Sequence, residues 1–328
     1  MITVSNLTRT FKISVRKKGI SGSFKNIFSP AYETKKAVDG ISFTIPDGQS
    51  VGFIGPNGAG KSTTVKMLSG ILHPTMGEID VNGFIPYKDR KKFVKNIGVV
   101  FGQKSQLWRD LPIADTYDLL KHIYKIPDAA FKRNMDLFND ILELHTFAKQ
   151  SVRQLSLGQR MRADIVAAFL HNPDVVFLDE PTIGLDVVAK EKIREFITTV
   201  NRERGTTLLF TTHDMQDIEK TCKRIIIIDA GKIIYDGSID EIRRKYGKER
   251  TLIVEFAEKP DVLALDHAKI VDDAENPNKK AITFSTEQNV SALISTLSSL
   301  HPITDLTIKE PEIESIIREI YENGGHNS

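Results

Sequence analysis

The sequence predicts an α/β fold followed by a smaller α+β domain, and three observations carry that reading. A glycine-rich loop, GPNGAGKST at 55–63, stands between an apolar strand, SVGFIG, and a helix-forming run, VKMLSGIL. Two further segments, VVFLD and TTLLFTT, are apolar or β-branched throughout, as are parallel strands covered on both faces. After about Lys245 the strand and helix signals restart, so 1–245 and 246–328 read as separate domains. With roughly 150 residues per domain as a usual size, a chain of 328 residues fits two.

In chain order, Ile2, Val4 and Leu7 mark an opening strand. Lys12, Arg16, Lys17, Lys18 and Lys25 then occur without a single acid up to Tyr32, and Phe24, Ile27 and Phe28 sit among them at helical spacing. This stretch reads as a basic, weakly amphipathic insertion over 16–34. AVDGISFTI is a strand, Asp47-Gly48 a turn, and GEIDVNG and NIGVVF further strands. Residues 112–170 read as a helical subdomain inserted between two halves of a sheet, with Phe131, Met135, Phe138 and Leu142 on one helix face. RIIIIDAGKIIYDG is a strand, a turn and a strand. Beyond 245, TLIVEF, KAITFST and TDLTIKE read as strands and NVSALISTLSSL and PEIESIIREIYENGG as helices.

Composition narrows the function classes. Lys and Arg total 45 against 43 Asp and Glu, a net charge of +2 that gives no general electrostatic case for a nucleic-acid partner. Cys222 is the single cysteine, which excludes an internal disulfide and a cysteine-cluster metal site. The histidines form no zinc-binding spacing. The longest aliphatic runs, such as Ile225 to Ile228, fall far short of the ~20 residues a spanning helix needs. The N-terminus has no apolar signal-peptide core. A soluble chain is expected, with any membrane role exercised through partners.

Three motifs carry chemistry. GPNGAGKS matches the phosphate loop G-x-x-x-x-G-K-[ST]. Glycines let backbone N–H groups wrap a phosphate, Lys61 would reach the β- and γ-phosphates, and the Ser62 hydroxyl would bind Mg²⁺. VVFLDE is an apolar strand ending in two carboxylates; Asp179 fits an Mg²⁺ ligand and Glu180 a general base for the attacking water. In LSLGQR, Ser156 is a good N-cap and Gln159, three residues on, completes a capping box, so a helix begins there with its positive end free for an anion.

LSLGQR, placed ahead of Asp179, resembles the LSGGQ signature of ATP-binding cassette (ABC) ATPases, and the remaining motifs of that family follow in order. Gln103 in VVFGQKSQLW resembles the Q-loop glutamine, Asp186 in IGLD the D-loop, and His213 after TLLFTT the switch histidine that senses the γ-phosphate. Phe11 lies where the family stacks an aromatic on adenine, with Tyr32 as a rival. The resemblance covers residues 2 to 240 and implies a P-loop NTPase core. It also implies ATP held by Gly55, Pro56, Asn57, Gly58, Ala59, Gly60, Lys61, Ser62 and Thr63, and Mg²⁺ held by Ser62, Gln103 and Asp179. The catalytic groups implied are Glu180, His213 and Lys61. In this family the signature of one subunit, here Ser156, Gly158 and Gln159 with Asp186, closes over the ATP of another. A second cassette chain is therefore implied, most simply a homodimer.

The expected function is ATP hydrolysis driving transport, and GQKSQLWRDLP and EPEIESIIREIY resemble the ATPases of ABC-2-type exporters, which implies export. The resemblance also implies integral membrane permease subunits on separate chains and a place on the cytoplasmic face of the cell membrane. The alternative is a soluble ABC ATPase of the translation or DNA-repair type; such chains usually carry two cassettes or long coiled coils, and this one has a single phosphate loop and no sustained heptads. Two departures stand out. Leu157 replaces the first glycine of LSGGQ, and one extra residue precedes Gln103 relative to the usual VxQ pattern.

Overall fold

The computed structural model describes residues 1–15, 31–102, 104–247, 249–260, 265, 268–273, 275–311 and 313–324. The chain divides into two compact units, Met1–Asp236 and Gly237–Ser328.

In the first unit, β1 (Ile2–Val15) lies between β2 (Ala31–Ile45) and β4 (Met76–Val81) in an antiparallel sheet. A second sheet has the order β5-β6-β7-β3-β8-β9, from β3 (Ser50–Ile54), β5 (Ile97–Phe101), β6 (Val175–Asp179), β7 (Thr207–Thr211), β8 (Arg224–Asp229) and β9 (Lys232–Ser238). It is parallel from β5 through β8. Every residue of β3, β6 and β7 is buried, as their unbroken apolar and β-branched sequences require. The two sheets share one core, in which Phe43 of β2 lies 5.9 Å from Phe53 of β3.

The helices of this unit are α1 (Lys61–Leu68), α2 (Arg90–Phe93), α3 (Ile113–Tyr124), α4 (Asp128–Leu142), α5 (Leu157–Phe169), α6 (Val187–Arg204) and α7 (Met215–Thr221). The expected helical stretch over 112–170 is α3, α4 and α5. On α4, Phe138 and Leu142 are fully buried while Phe131 and Met135 are half-buried. Phe196 of α6 receives the edges of Phe138 at 5.1 Å and Phe169 of α5 at 5.2 Å, which locks the three helices together.

The basic insertion is shorter than the sequence suggests. The β1–β2 ladder runs out to Val15 opposite Ala31, so residues 12–15 and 31–34 are strand. Thr10, Phe11, Ile13, Tyr32 and Thr34 supply β-branched and aromatic residues on both sides of that ladder, which outweigh the charges beside them. Arg16, Lys17, Lys18, Phe24, Lys25, Ile27 and Phe28 lie outside the described residues.

The second unit contains α8 (Ile239–Tyr246), β10 (Glu249–Phe256), β11 (Ala268–Asp272), β12 (Lys279–Ser285), α9 (Val290–Leu300), β13 (Ile303–Lys309) and α10 (Ile313–Gly324). Its sheet is antiparallel with the order β11-β12-β10-β13. Leu252, Val254, Phe256, Ile282 and Phe284 pack against Leu297 of α9. The division falls before α8, whereas the sequence put it at 245. The cause is packing: α8 lies against α10, and Ile239 and Ile242 are buried along with Ile313, Ile316, Ile317 and Ile320.

Candidate functional site

The carboxyl ends of β3 and β6 meet at a cavity of about 480 Å³, lined by Asn57, Gly58, Gly60, Lys61, Ser62 and Thr63 on one side and Asp179 and Glu180 on the other. This is where an open parallel sheet presents its ligands, because the loops that leave the strand ends converge there. The loop geometry needs its glycines. Gly60 has φ +114, and a side chain there would put Cβ 2.5 Å from the Ala37 carbonyl oxygen. The backbone can then turn straight into α1, whose first three residues, Lys61, Ser62 and Thr63, line the cavity.

Lys61 donates from Nζ to the carbonyls of Gly55 at 2.6 Å and Pro56 at 3.2 Å. Burial lowers its pKa, while the charges of Glu180 and Asp179 act to raise it. The ammonium is thus positioned inside the loop, with its carboxylate neighbours across the cavity.

The Ser62 hydroxyl donates to Asp179 Oδ1 at 3.2 Å, and the Thr211 hydroxyl donates to the same oxygen at 2.7 Å. A hydroxyl and a carboxylate converging in this way are hard oxygen donors of the kind Mg²⁺ takes when it shares a site with phosphate. Glu180 has φ +54, an uncommon conformation for this residue type. Its N–H is held by the Thr211 carbonyl at 2.9 Å and hydroxyl at 3.2 Å. Its Oε2 lies 3.4 Å from His213 Nδ1. Ser62 and, more than 110 residues on, the adjacent pair Asp179 and Glu180 are therefore brought to one cavity, with His213 at its side.

The other expected residues fall elsewhere. Gln103 lies outside the described residues, but its neighbours are fixed on both sides. Gly102 donates its N–H to the Asp179 carbonyl at 2.8 Å. Ser105 Oγ at 3.0 Å and the Gln106 N–H at 2.9 Å both donate to Asp164 Oδ1 of α5. Gly55, Pro56 and Ala59 shape the loop without lining the cavity. Ser156 and Gln159 form the expected capping box, with Gln159 N–H donating to Ser156 Oγ at 3.2 Å and Ser156 N–H to Gln159 Oε1 at 2.9 Å. With Gly158 they start α5 and do not line this cavity. Asp186 accepts the Ala189 N–H at 2.8 Å and caps α6. Leu157 sits beside Gly184, so the signature and D-loop segments touch within one chain. Phe11 carries the Arg9 guanidinium over its ring at 4.8 Å, and Tyr32 is exposed; neither lines the cavity.

The sequence reading missed Lys66, Ile71, Phe101 and Lys104, which also line the cavity. Lys66 is one helical turn beyond Ser62, a position that a 3.6-residue period would have flagged. Thr211, which holds both Asp179 and Glu180, is not marked by any local pattern.

The ABC transporter family model matches residues 38–183. The ABC transporter ATP-binding protein NatA of Bacillus subtilis is 32% identical over 224 residues, covering 68% of this chain and 89% of NatA. The linearmycin resistance ATP-binding protein LnrL of the same organism is 31% identical over 294 residues, 87% of this chain and 94% of LnrL. Among solved structures, the dimeric post-hydrolysis state of the ATP-binding cassette MJ0796 bound to ADP and Pi superimposes with a TM-score of 0.60 at 27% identity, covering 73% of this chain and 99% of that one. With its phosphate loop, paired carboxylates and capped signature helix on one such cassette fold, the chain belongs to the ABC transporter family as an ATP-hydrolysing, ATP-binding subunit.

Proposed function

We propose that the chain works as one of two cassettes in a dimer, peripheral to the membrane, and drives export of a solute through separate permease subunits. The observation that carries the catalytic part is the meeting of Ser62, Asp179, Glu180 and His213 beside the phosphate loop. The likeness to LnrL, named for linearmycin resistance, supports export. Among the described residues no helix is long and apolar enough to cross a membrane, which fits a permease on other chains.

In this reading the backbone N–H groups of residues 57–63 and the Lys61 ammonium hold the β- and γ-phosphates. Ser62 and Asp179, with Gln103, hold Mg²⁺, which when bound neutralises charge on those phosphate oxygens. Glu180 accepts a proton from the water whose oxygen bonds to the γ-phosphorus as the bond to ADP breaks. His213, facing Glu180, reports whether the γ-phosphate is present. Ser156, Gly158, Gln159 and Asp186 serve the site of the second cassette, which accounts for their distance from this one.

The test is Glu180→Gln. ATP binding should persist while turnover falls by about 10²–10⁴-fold, and size-exclusion chromatography with ATP should show a trapped dimer. A monomer with normal turnover would remove Glu180 from this role. Affinity capture from membranes should recover permease chains with the wild-type protein.

A further inference from the structure

Asp217 lies outside the cavity and matches no sequence motif, yet it joins the two segments that the catalytic reading depends on. It is fully buried in α7. Its Oδ2 accepts the hydroxyl of Thr182, in the turn that follows Glu180, and the hydroxyl of Thr212 at 3.2 Å, immediately before His213. Its Oδ1 accepts Nε of Arg194 at 2.6 Å and lies 2.5 Å from the Nη2 of that guanidinium. Arg194 belongs to α6, the helix that Asp186 caps, and is itself buried. Thr182 and Thr212 are buried as well, so no water competes for these bonds.

The neighbouring residue Asp214 extends the arrangement. It caps α7 through the Gln216 N–H at 3.0 Å, accepts Lys190 of α6 at 2.6 Å and donates its own N–H to Thr212 Oγ at 3.0 Å. The backbone on either side of His213 is therefore pinned at Thr212 and Asp214, while the backbone beyond Glu180 is pinned at Thr182. Both pins end on Asp217 or on the residue that shares its helix.

We infer that Asp217 is a positioning residue for ATP hydrolysis: its carboxylate fastens the Thr182 turn and the Thr212 strand end to one point and so sets Glu180 and His213 in register. The inference rests on the roles proposed above for those two residues. Its chemical basis is that one carboxylate can accept about four hydrogen bonds, and charge-assisted ones hold geometry more tightly than neutral ones. The same contact ties the pair to α6, hence to the loop that ends at Asp186.

An Asp217 truncation would also remove the carboxylate that Arg194 meets at 2.6 Å, leaving it Glu191 at 3.2 Å and Asp214 at 3.7 Å, and so disturbs α6 together with both turns; the threonines are therefore the probes. Thr182→Val and Thr212→Val keep the shape and remove only the hydroxyls. In the full-length chain, the double variant, some loss of stability aside, should stay folded and lose about 10- to 100-fold in kcat, with KM for ATP within about twofold. A purely structural bond would move stability and leave that split untouched. Two controls separate the layers: Thr212→Val added to His213→Ala should cause no further loss of kcat, because the residue it positions is already gone. If Glu180→Gln and His213→Ala retain full turnover, the catalytic reading falls and this inference falls with it. If they lose turnover but the folded threonine double variant keeps wild-type kcat, or the Thr212→Val loss multiplies with that of His213→Ala, only this inference is overturned.

Discussion

A β-carbon on Gly102 would lie 2.1 Å from the carbonyl oxygen of Glu180. Gly102 extends the β5–β6 pairing by one bond, N–H to the Asp179 carbonyl at 2.8 Å, and its bare backbone then rests on the residue proposed as base. This gives a physical reason for a glycine just ahead of Gln103: the chain can pass over Glu180 only where there is no side chain. Gly102→Ala should therefore displace Glu180 or the strand end, lowering kcat by about tenfold or more. It should also destabilise the fold by about 1–3 kcal/mol. Steady-state kinetics with thermal unfolding checks both; unchanged kcat would show that Glu180 tolerates the shift.

Ser62→Ala removes the hydroxyl that meets Asp179 at the proposed metal position. The half-saturating Mg²⁺ concentration for nucleotide binding should rise by about 10- to 100-fold, while binding of nucleotide without the metal changes little. Titration of a fluorescent ATP analogue at graded Mg²⁺ reads the difference. Equal Mg²⁺ dependence in both proteins would exclude Ser62 as a ligand.

Two buried groups should give opposite pH slopes. Burial pushes the Asp164 carboxyl from 3.8 up to about 6, against the hydrogen bonds from Gln106 and Ser105 and the charge of Arg160. Between these values the folded chain holds more protons than the unfolded one, so this residue adds stability as pH falls from about 6 to 4. Relative to Asp164→Asn, the wild type should carry a deficit of about 3 kcal/mol at pH 7 that disappears near pH 4. His171 works the other way: burial lowers it from 6.5 to about 4, opposed by its bond to the Ile97 carbonyl. Its contribution is complete above pH 6.5 and is lost as pH falls through 4. A His171→Phe variant, which keeps a ring against Tyr124 at the 4.0 Å stacking position, should be flatter on the acid side. Urea unfolding between pH 4.5 and 7.5 decides; curves parallel to wild type would contradict both assignments.

The division between units predicts where the chain can be cut. Ending at Asp236 removes α8 together with its partner α10, whereas ending at Gly247 leaves Ile239 and Ile242 without that cover. Both fragments should bind nucleotide, because Lys61, Asp179, Glu180 and His213 precede either cut. The shorter should stay in solution at concentrations where the longer aggregates, read by light scattering. Loss of nucleotide binding in a folded 1–236 fragment would contradict this division of labour.

The legible parts of this protein are those written in short windows. The phosphate loop, the apolar strands and the Ser156–Gln159 capping box each depend on residues within a few positions of one another, and the structure has them where the spacing put them. Asp164, Asp217 and Thr211 were illegible for the opposite reason. On a helix or strand each looks like an ordinary polar residue, and its importance comes from partners such as Ser105, Arg194 and Asp179 that only the fold brings near. β11 was missed because Ala268–Asp272 is a short edge strand with half its residues in water, which leaves little hydrophobic pattern to read. The length of the β1–β2 hairpin was hidden by its lysines, since charge runs suggest a loop even where strand pairing proceeds.

The Asp217–Arg194 contact also has an evolutionary face. Losing Arg194 alone leaves the fully buried Asp217 carboxylate without that cation, a change that typically costs about 3–5 kcal/mol, whereas losing Asp217 alone leaves Arg194 with Glu191 at 3.2 Å and Asp214 at 3.7 Å. A lineage can therefore leave this pair more readily by changing Asp217 first than by changing Arg194 first. Drift at these two positions should be slow and ordered: Arg194 without Asp217 should be met more often than Asp217 without Arg194.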